Sequence, residues 1–117
     1  MRKEKDRTRY STSLSEKNIE KIDKLSLETG LKKTRIIDKA LKMAFSLYES
    51  DKLAFYSVCT SDNSGRKGYS TSLDKDDIKE IDNIAYDTGL NKNQILDKAL
   101  FLIFKIYDED RIRFFDI

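Results

Sequence analysis

The sequence repeats itself at an offset of 59 residues, and this repeat constrains the fold more than any other feature. Of the 49 positions from Tyr10 to Val58, 21 are identical in the second copy, with no insertion or deletion between the copies. The identical stretches include YSTSL at 10–14 and 69–73, TGL at 29–31 and 88–90, and DKAL at 38–41 and 97–100. The chain therefore contains two copies of one structural unit, which are too few for an ordinary solenoid and favour a closed pair.

The repeat divides the chain into four segments. A basic N-terminal arm spans residues 1–8, a first unit with a C-terminal extension spans 9–58, a linker spans 59–67, and a second unit with its own extension spans 68–117. The linker is polar and contains glycine, which is typical of a flexible connection. The 117 residues together are enough for one compact core.

Each unit begins with a predicted strand and a predicted first helix. The YSTSL segment alternates along its length in the manner of a short strand with two different faces. Ser15 and Asp74 follow this segment and are good N-cap residues for a helix. The apolar positions of that helix recur at helical spacing and are Ile19, Ile22 and Leu25 in one copy and Ile78, Ile81 and Ile84 in the other.

A second helix is predicted after the first in each unit. Gly30 and Gly89 can adopt the left-handed conformation that ends a helix, and the next helix begins near Lys33 and Lys92. Its apolar stripe is Ile36, Ile37, Ala40, Leu41, Ala44, Phe45 and Tyr48, matched by Ile95, Leu96, Ala99, Leu100, Ile103, Phe104 and Tyr107. Each copy ends in a further apolar segment, which we expect to fold back on the core; self-association of chains on adjacent sites is the alternative.

A single unit of strand, helix, turn and helix cannot be stable, because its strand leaves backbone hydrogen bonds unsatisfied and its helices bury little apolar surface. We therefore expect a mostly α fold, an intramolecular pseudo-dimer with a two-stranded antiparallel β-ribbon over a four-helix core. Leu14 and Leu73 lead into helices and should face that core, so alternation turns the other face of each strand outward. The outward residues are Arg9, Ser11 and Ser13 on one strand and Gly68, Ser70 and Ser72 on the other.

The composition argues against several classes of protein. The chain has no histidine and one cysteine, Cys59, so it offers no intrachain disulfide, no Cys/His zinc site and no histidine-based catalysis. We expect no enzyme activity, no metal, no other cofactor and no small-molecule substrate. The longest apolar run, 99–104, is too short to cross a bilayer, and the N-terminus is charged, so we expect a cytoplasmic protein without membrane contact.

Positive charge is concentrated in the first half of the chain. Residues 1–59 contain 14 Lys and Arg against 9 Asp and Glu, whereas residues 60–117 contain 9 against 12. The basic arm contributes Arg2, Lys3, Lys5 and Arg7. Such a terminus often only solubilises a protein, so the arm by itself does not indicate nucleic-acid binding.

Two motifs connect this pattern to a known family. RYSTSLSE at 9–16 leads into the first helix, TGLKKT at 29–34 opens the second, and both recur in altered form in the second copy. This order of elements resembles the ribbon-helix-helix DNA-binding proteins, the class of the Arc, MetJ and CopG repressors. The resemblance covers Arg9 to about Tyr48 and Gly68 to about Tyr107, and the tandem arrangement is similar to that of TraY.

The resemblance implies a binding mode in which the ribbon enters the major groove of double-stranded DNA and alternate strand residues contact base edges. The base-reading positions would be Arg9, Ser11, Ser13, Ser70 and Ser72, with Gly68 allowing close approach. The starts of the second helices would bind phosphates through Lys32, Lys33, Thr34, Asn91, Lys92 and Asn93. Because Gly68 replaces Arg9 in the second copy, we expect the ribbon to read an asymmetric site in one direction.

The sequence leaves the biological role open between three hypotheses. The first is a transcriptional repressor or regulator of the plasmid, phage or mobile-element type, since repression requires only occupancy of a site. The second is a conjugation accessory protein that binds a transfer origin in a relaxosome. The third is an antitoxin-like module whose apolar surface binds a protein.

Overall fold

The computed structural model describes residues 7–58 and 65–117. The chain is mostly helical and contains one two-stranded antiparallel sheet. The elements in chain order are β1 (Arg7–Ser15), α1 (Glu16–Thr29), α2 (Lys33–Ser50), α3 (Lys52–Ser57), β2 (Arg66–Asp74), α4 (Lys75–Thr88), α5 (Lys92–Glu109) and α6 (Arg111–Asp116). The second four elements repeat the first four in order and in length.

The first helices begin at the predicted caps. The Ser15 hydroxyl accepts a hydrogen bond of 3.1 Å from the backbone N–H of Asn18. The Asp74 carboxylate accepts one of 2.9 Å from the backbone N–H of Asp76. Each bond satisfies a donor that the first turn of a helix leaves free, which explains why the strands end and the helices start at these residues.

The first helices also end at the predicted glycines. Gly30 has a φ of 76° and Gly89 a φ of 79°, and their backbone N–H groups donate to the carbonyls of Ser26 and Ala85. A side chain is disfavoured in this left-handed conformation, so glycine at these two positions fixes where the chain turns into the second helix.

The two strands pair with each other along their whole length. Ser11 lies opposite Ser70 at the centre of the register, and Arg9 lies opposite Ser72. Gly68, the repeat equivalent of Arg9, lies opposite Ser13 on the other side of the centre. The ribbon is therefore built around an approximate twofold axis, and equivalent residues of the two copies lie at equal distances from Ser11 and Ser70.

The strands are longer at their N-terminal ends than the sequence predicted. Arg7, assigned to the basic arm, is the first residue of β1, and Arg66 and Lys67, assigned to the linker, are the first two residues of β2. Each strand continues at its C-terminal end to the N-cap residue of its helix. The backbone groups there pair with the first residue of the other strand, so that Asp74 pairs with Arg7 and Ser15 with Arg66. The arm residues Arg2, Lys3 and Lys5, together with Cys59, lie outside the described residues.

The predicted apolar stripes form one core shared by both copies. α2 and α5 pack against each other, with α1 and α4 at their sides. Leu14 and Leu73 are fully buried beneath the ribbon, as predicted from the strand phase. The fully buried residues of the second helices include Ile36, Ile37, Ala40, Leu41, Ala44, Ile95, Leu96, Ala99, Leu100 and Ile103. Since both copies contribute to this core, neither could bury its apolar face by itself.

The terminal segments of both copies fold back as the short helices α3 and α6. Phe55 and Phe114 are fully buried, and each ring makes an edge-on contact with the tyrosine of the preceding helix, Tyr48 or Tyr107. The prediction that these segments enlarge the core is therefore confirmed. Other apolar side chains of the same helices stay in solvent, among them Leu53 and Ile112.

Each short helix is joined to the other copy by one buried lysine. Lys39 on α2 donates to the carbonyls of Phe115 and Ile117 at 3.4 and 2.7 Å, and its ammonium lies over the Phe114 ring. Lys98 on α5 donates in the same way to the carbonyls of Tyr56 and Val58 at the end of α3. Burial lowers the pKa of Lys39 below its ordinary value. The carbonyls at a helix C-terminus stabilise a cation, which offsets the cost of burying it.

A second pair of contacts joins the copies at the far ends of α2 and α5. The Tyr107 hydroxyl donates to Glu28 of α1 at 2.9 Å, and the Tyr48 hydroxyl donates to Asp87 of α4. A cation covers each tyrosine ring, Arg111 on Tyr107 and Lys52 on Tyr48. The copies thus hold each other through matched polar contacts as well as through the core.

Candidate nucleic-acid interface

The outer face of the ribbon is an exposed surface of short side chains. Ser11, Ser70, Arg9 and Gly68 are exposed there, and the hydroxyl oxygens of the two serines are 3.4 Å apart at the centre. On the opposite face Tyr10, Thr12, Tyr69 and Thr71 are half-buried. The predicted alternation is therefore seen over the central part of the ribbon.

The tyrosines fix the inner face of the ribbon on the helices. Burial raises the pKa values of Tyr10 and Tyr69 above their ordinary value. Their rings pack against the core, so the strand phase cannot slip by one residue without exposing both tyrosines and both buried leucines. The outward face is consequently fixed by the packing beneath it.

Ser13 and Ser72 are different from the two central serines, because both are half-buried under an arginine. Arg66 donates from Nε to the Ser13 hydroxyl at 3.2 Å and from a terminal nitrogen to the Ser13 carbonyl at 2.8 Å. Arg7 makes the equivalent bonds to Ser72 at 3.2 and 2.7 Å. The outermost serines of the predicted base-reading set are thus already in contact with a guanidinium.

The same two arginines connect the ends of the ribbon to the second helices. Arg7 lies 3.3 Å from the carboxylate of Asp38 on α2, and Arg66 lies 3.0 Å from that of Asp97 on α5. Asp97 is the more buried acid, with a side chain 8% exposed against 31% for Asp38. Each end of the ribbon therefore lies beside the first half of one second helix.

Two of the three predicted phosphate-binding lysines, Lys33 and Lys92, are in ion pairs. Lys33 lies 2.8 Å from Asp23, and Lys92 lies 2.9 Å from Asp82, its repeat equivalent. The hydrogen bond and the charge of the aspartate raise the pKa of each lysine above its ordinary value. Both ammonium groups are exposed, so a phosphate could exchange with the aspartate.

The two helix starts differ in how they are capped. Lys32 precedes α2 and its side chain makes no capping bond, whereas the backbone N–H of Asn91 before α5 donates to Gln94 at 2.9 Å. The Asn93 amide accepts from Thr12 at 2.6 Å and donates to Ser13 at 3.2 Å. Asn93 therefore supports the ribbon. The sequence predicted phosphate binding at this residue and did not predict its contacts with the strand.

Positive charge is unequal at the two ends of the ribbon. The end beside α2 has Arg9, Lys32 and Arg35, all exposed. The equivalent positions beside α5 are Gly68, Asn91 and Gln94. Each end also has one arginine at the start of a strand, Arg7 or Arg66, and one lysine at the start of a second helix, Lys33 or Lys92. The charge asymmetry predicted from Arg9 thus extends over the start of α2. On the strands themselves the difference in positive charge is smaller, because β2 begins with Arg66 and Lys67.

Sequence reasoning missed Arg66, Asp38 and Asp97 as parts of this surface. The signal was present in the repeat, because Arg66 is the equivalent of Arg7 and Asp97 the equivalent of Asp38. It was overlooked because the aligned segment began at Tyr10 and the glycines around Arg66 favoured a linker.

The described residues contain no cluster of three or more side chains suited to hold a metal ion. Over the same ranges, no helix has both the length and the apolar character that a bilayer crossing requires. The comparisons with protein families, with curated proteins and with solved structures give no match to this chain.

Proposed function

We propose that the chain is a tandem ribbon-helix-helix protein that binds double-stranded DNA with the outer face of its ribbon in the major groove. The groove is about 12 Å wide and admits a two-stranded ribbon. The observation that carries the proposal is this outer face, which is exposed, centred on Ser11 and Ser70, and flanked at both ends by arginines and by the start of a helix.

The short side chains at the centre favour close approach to base edges. A serine hydroxyl can donate or accept a hydrogen bond, so Ser11 and Ser70 can bond several bases and discriminate weakly. Arg9 can donate two bonds to guanine O6 and N7 and is expected to discriminate strongly. Sequence preference would then come from the arginines, and the serines would bring the ribbon close enough to use them.

The helix starts are suited to bind phosphates on either side of the groove. The first turns of α2 and α5 direct backbone N–H groups out of the helix end, those of Arg35 and Gln94 being bonded to the carbonyls of Lys32 and Asn91, and Lys33 and Lys92 extend beside them. A phosphate would replace Asp23 or Asp82 as the partner of the lysine. Such contacts fix the position of the ribbon and do not depend on sequence.

A single chain with unequal ends can distinguish the two orientations of a site, which a symmetric homodimer cannot do. We propose that the protein regulates transcription by occupying such a directional site. The exposed cations beside α2, absent from the equivalent positions beside α5, support this direction. Mapping of the bound sites separates this role from action at a transfer origin, because a regulator binds next to promoters.

The proposal is tested by titrating the purified chain into labelled duplex DNA at several salt concentrations. Binding should weaken steeply with salt, and Ser70→Asp should abolish it by placing a negative charge at the centre of the ribbon. Ser46→Asp, an equal charge change at an exposed position of α2, is the matched control and should retain binding apart from a small charge effect. Binding by Ser70→Asp as tight as by the control would rule out the outer face as the interface.

A further inference from the structure

We propose that Arg7 and Arg66, rather than Ser72 and Ser13, contact the bases at the outer positions of the ribbon, each on a guanine. This inference rests on the proposed DNA binding and names the groups that give it specificity. It follows from the position of the two guanidinium groups over the two serines.

The contacts around Arg66 define its position closely. Its Nε and one terminal nitrogen bond the hydroxyl and carbonyl of Ser13 at 3.2 and 2.8 Å, and that terminal nitrogen also lies 3.0 Å from Asp97. These bonds use three of the five N–H groups of a guanidinium, and the two on the other terminal nitrogen remain for a ligand. The side chain is 39% exposed, so a base edge can reach it.

The serines act in this arrangement as supports for the arginines. The Ser13 hydroxyl accepts from Arg66 and from Asn93, both at 3.2 Å, and Ser13 is half-buried beneath them. A base approaching the ribbon at this position meets the guanidinium before it meets the hydroxyl. Ser72 lies under Arg7 in the same way, and both terminal nitrogens of Arg7 also donate to Asp38, at 3.3 and 3.4 Å.

The aspartates are positioning residues for the arginines. Asp38 and Asp97 project from α2 and α5 and hold the arginines at the two ends of the ribbon before DNA arrives. A side chain fixed in advance loses less conformational freedom on binding. Two-bond donation to guanine O6 and N7 uses one N–H from each terminal nitrogen, so guanine would replace Asp97 as a partner of Arg66 and Asp38 as a partner of Arg7. A lysine ammonium lacks this planar fork.

The resulting pattern of readers is nearly symmetric. Arg7 and Arg66 lie at equivalent positions on either side of Ser11 and Ser70, so they predict one guanine in each half of the site. Arg9 has no counterpart, since Gly68 occupies its equivalent position, and predicts one further guanine in one half only. The site is therefore an imperfect palindrome with its direction set by Arg9.

The test measures binding to a site selected from random duplexes and to an unrelated duplex. Arg66→Lys keeps the positive charge and removes the planar fork, so it should reduce the preference for the selected site roughly 10- to 100-fold while leaving the affinity for unrelated DNA nearly unchanged. Ser13→Ala should change the preference less than about threefold. Circular dichroism and the urea midpoint of each variant show whether it is folded.

Three outcomes would overturn the inference. In the first, Ser13→Ala loses as much preference as Arg66→Lys, which makes the serine the reader. In the second, Arg66→Lys is neutral and Arg66→Ala weakens both duplexes equally, which makes Arg66 a phosphate contact. In the third, the natural chain binds no DNA, which overturns the proposed function itself. The first two outcomes differ from this one because in both of them the natural chain still binds DNA. Arg7→Lys and Ser72→Ala repeat the test at the other end of the ribbon.

Discussion

The ammonium of Lys98, on the second copy's α5, lies 2.8 Å from the carbonyl oxygen of Val58, the residue that follows α3 in the first copy. Lys98 also donates to Tyr56 at 3.1 Å and covers the Phe55 ring. Lys39 does the same for α6, so each copy completes the terminal helix of the other. Equivalent lysines of the two copies therefore each hold the terminal helix of the other copy in place.

The reciprocal lysines should be important for stability. Lys98→Met retains the apolar stem and removes the cation, leaving two part-buried carbonyls without this donor, and we expect a loss of about 1–3 kcal/mol in the free energy of unfolding. Lys105→Met, at an exposed position of the same helix, should change it by less than about 0.5 kcal/mol. Urea unfolding at neutral pH measures both variants. Equal stability of the two would show that the contact of Lys98 with α3 contributes nothing.

Acid should weaken the contact between α2 and α4. Hydrogen bonds from Tyr48 and Lys52 and the charge of Lys52 lower the pKa of Asp87 below its ordinary value of 3.8. Asp87 therefore stabilises the fold above pH 3.8, and this contribution is lost as the pH falls through the lowered pKa of the folded state. Asp87→Asn should be less stable than the natural chain at neutral pH and approach its stability in acid.

Thermal unfolding across the acid range tests this dependence. Glu49→Gln, which removes an exposed carboxylate from α2, is the control and should follow the natural chain throughout. If the stability difference between Asp87→Asn and the natural chain stays constant from neutral to strongly acid pH, Asp87 makes no pH-dependent contribution.

The ion pair of Lys33 with Asp23 should compete with phosphate binding. Asp23→Asn removes the competitor, so we expect tighter binding to DNA of any sequence. Lys33→Ala should reduce the slope of log affinity against log salt by about one, and more clearly in the Asp23→Asn background than in the natural chain. Anisotropy titrations of the four proteins form a complete cycle. A cycle with no coupling would mean that the lysine is free to reach phosphate regardless of Asp23.

Local signals made the framework predictable from the sequence. Ser15, Asp74, Gly30 and Gly89 mark the helix ends through their own backbone chemistry, and the structure has the helices end where they predict. Leu14 fixed the phase of its strand for the same reason, because alternation along a strand is a local property. The paired ribbon followed from the need to satisfy the backbone of a lone strand.

Contacts between distant residues were not predictable in this way. The pairing of Lys33 with Asp23 and of Arg66 with Asp97 depends on how helices and strands pack, which no local pattern specifies. The early start of β2 depends on pairing with Ser15, so the glycines beside Arg66 favoured a linker until that partner was known. The sequence predicted single lysines and arginines at this surface. The structure places several of these cations in ion pairs with aspartates at equivalent positions of the two copies.

The central claim, a ribbon that reads DNA with a direction, is tested most directly by Gly68→Arg. Gly68 lies in the extended strand, and a Cβ placed there would meet no atom within 4 Å, so the substitution fits the fold and restores the equivalent of Arg9. Selection from a random duplex library should give an asymmetric site for the natural chain and a palindrome for Gly68→Arg, with the extra guanine now in both halves. A palindromic site for the natural chain, or one site selected unchanged by both proteins, would contradict the account.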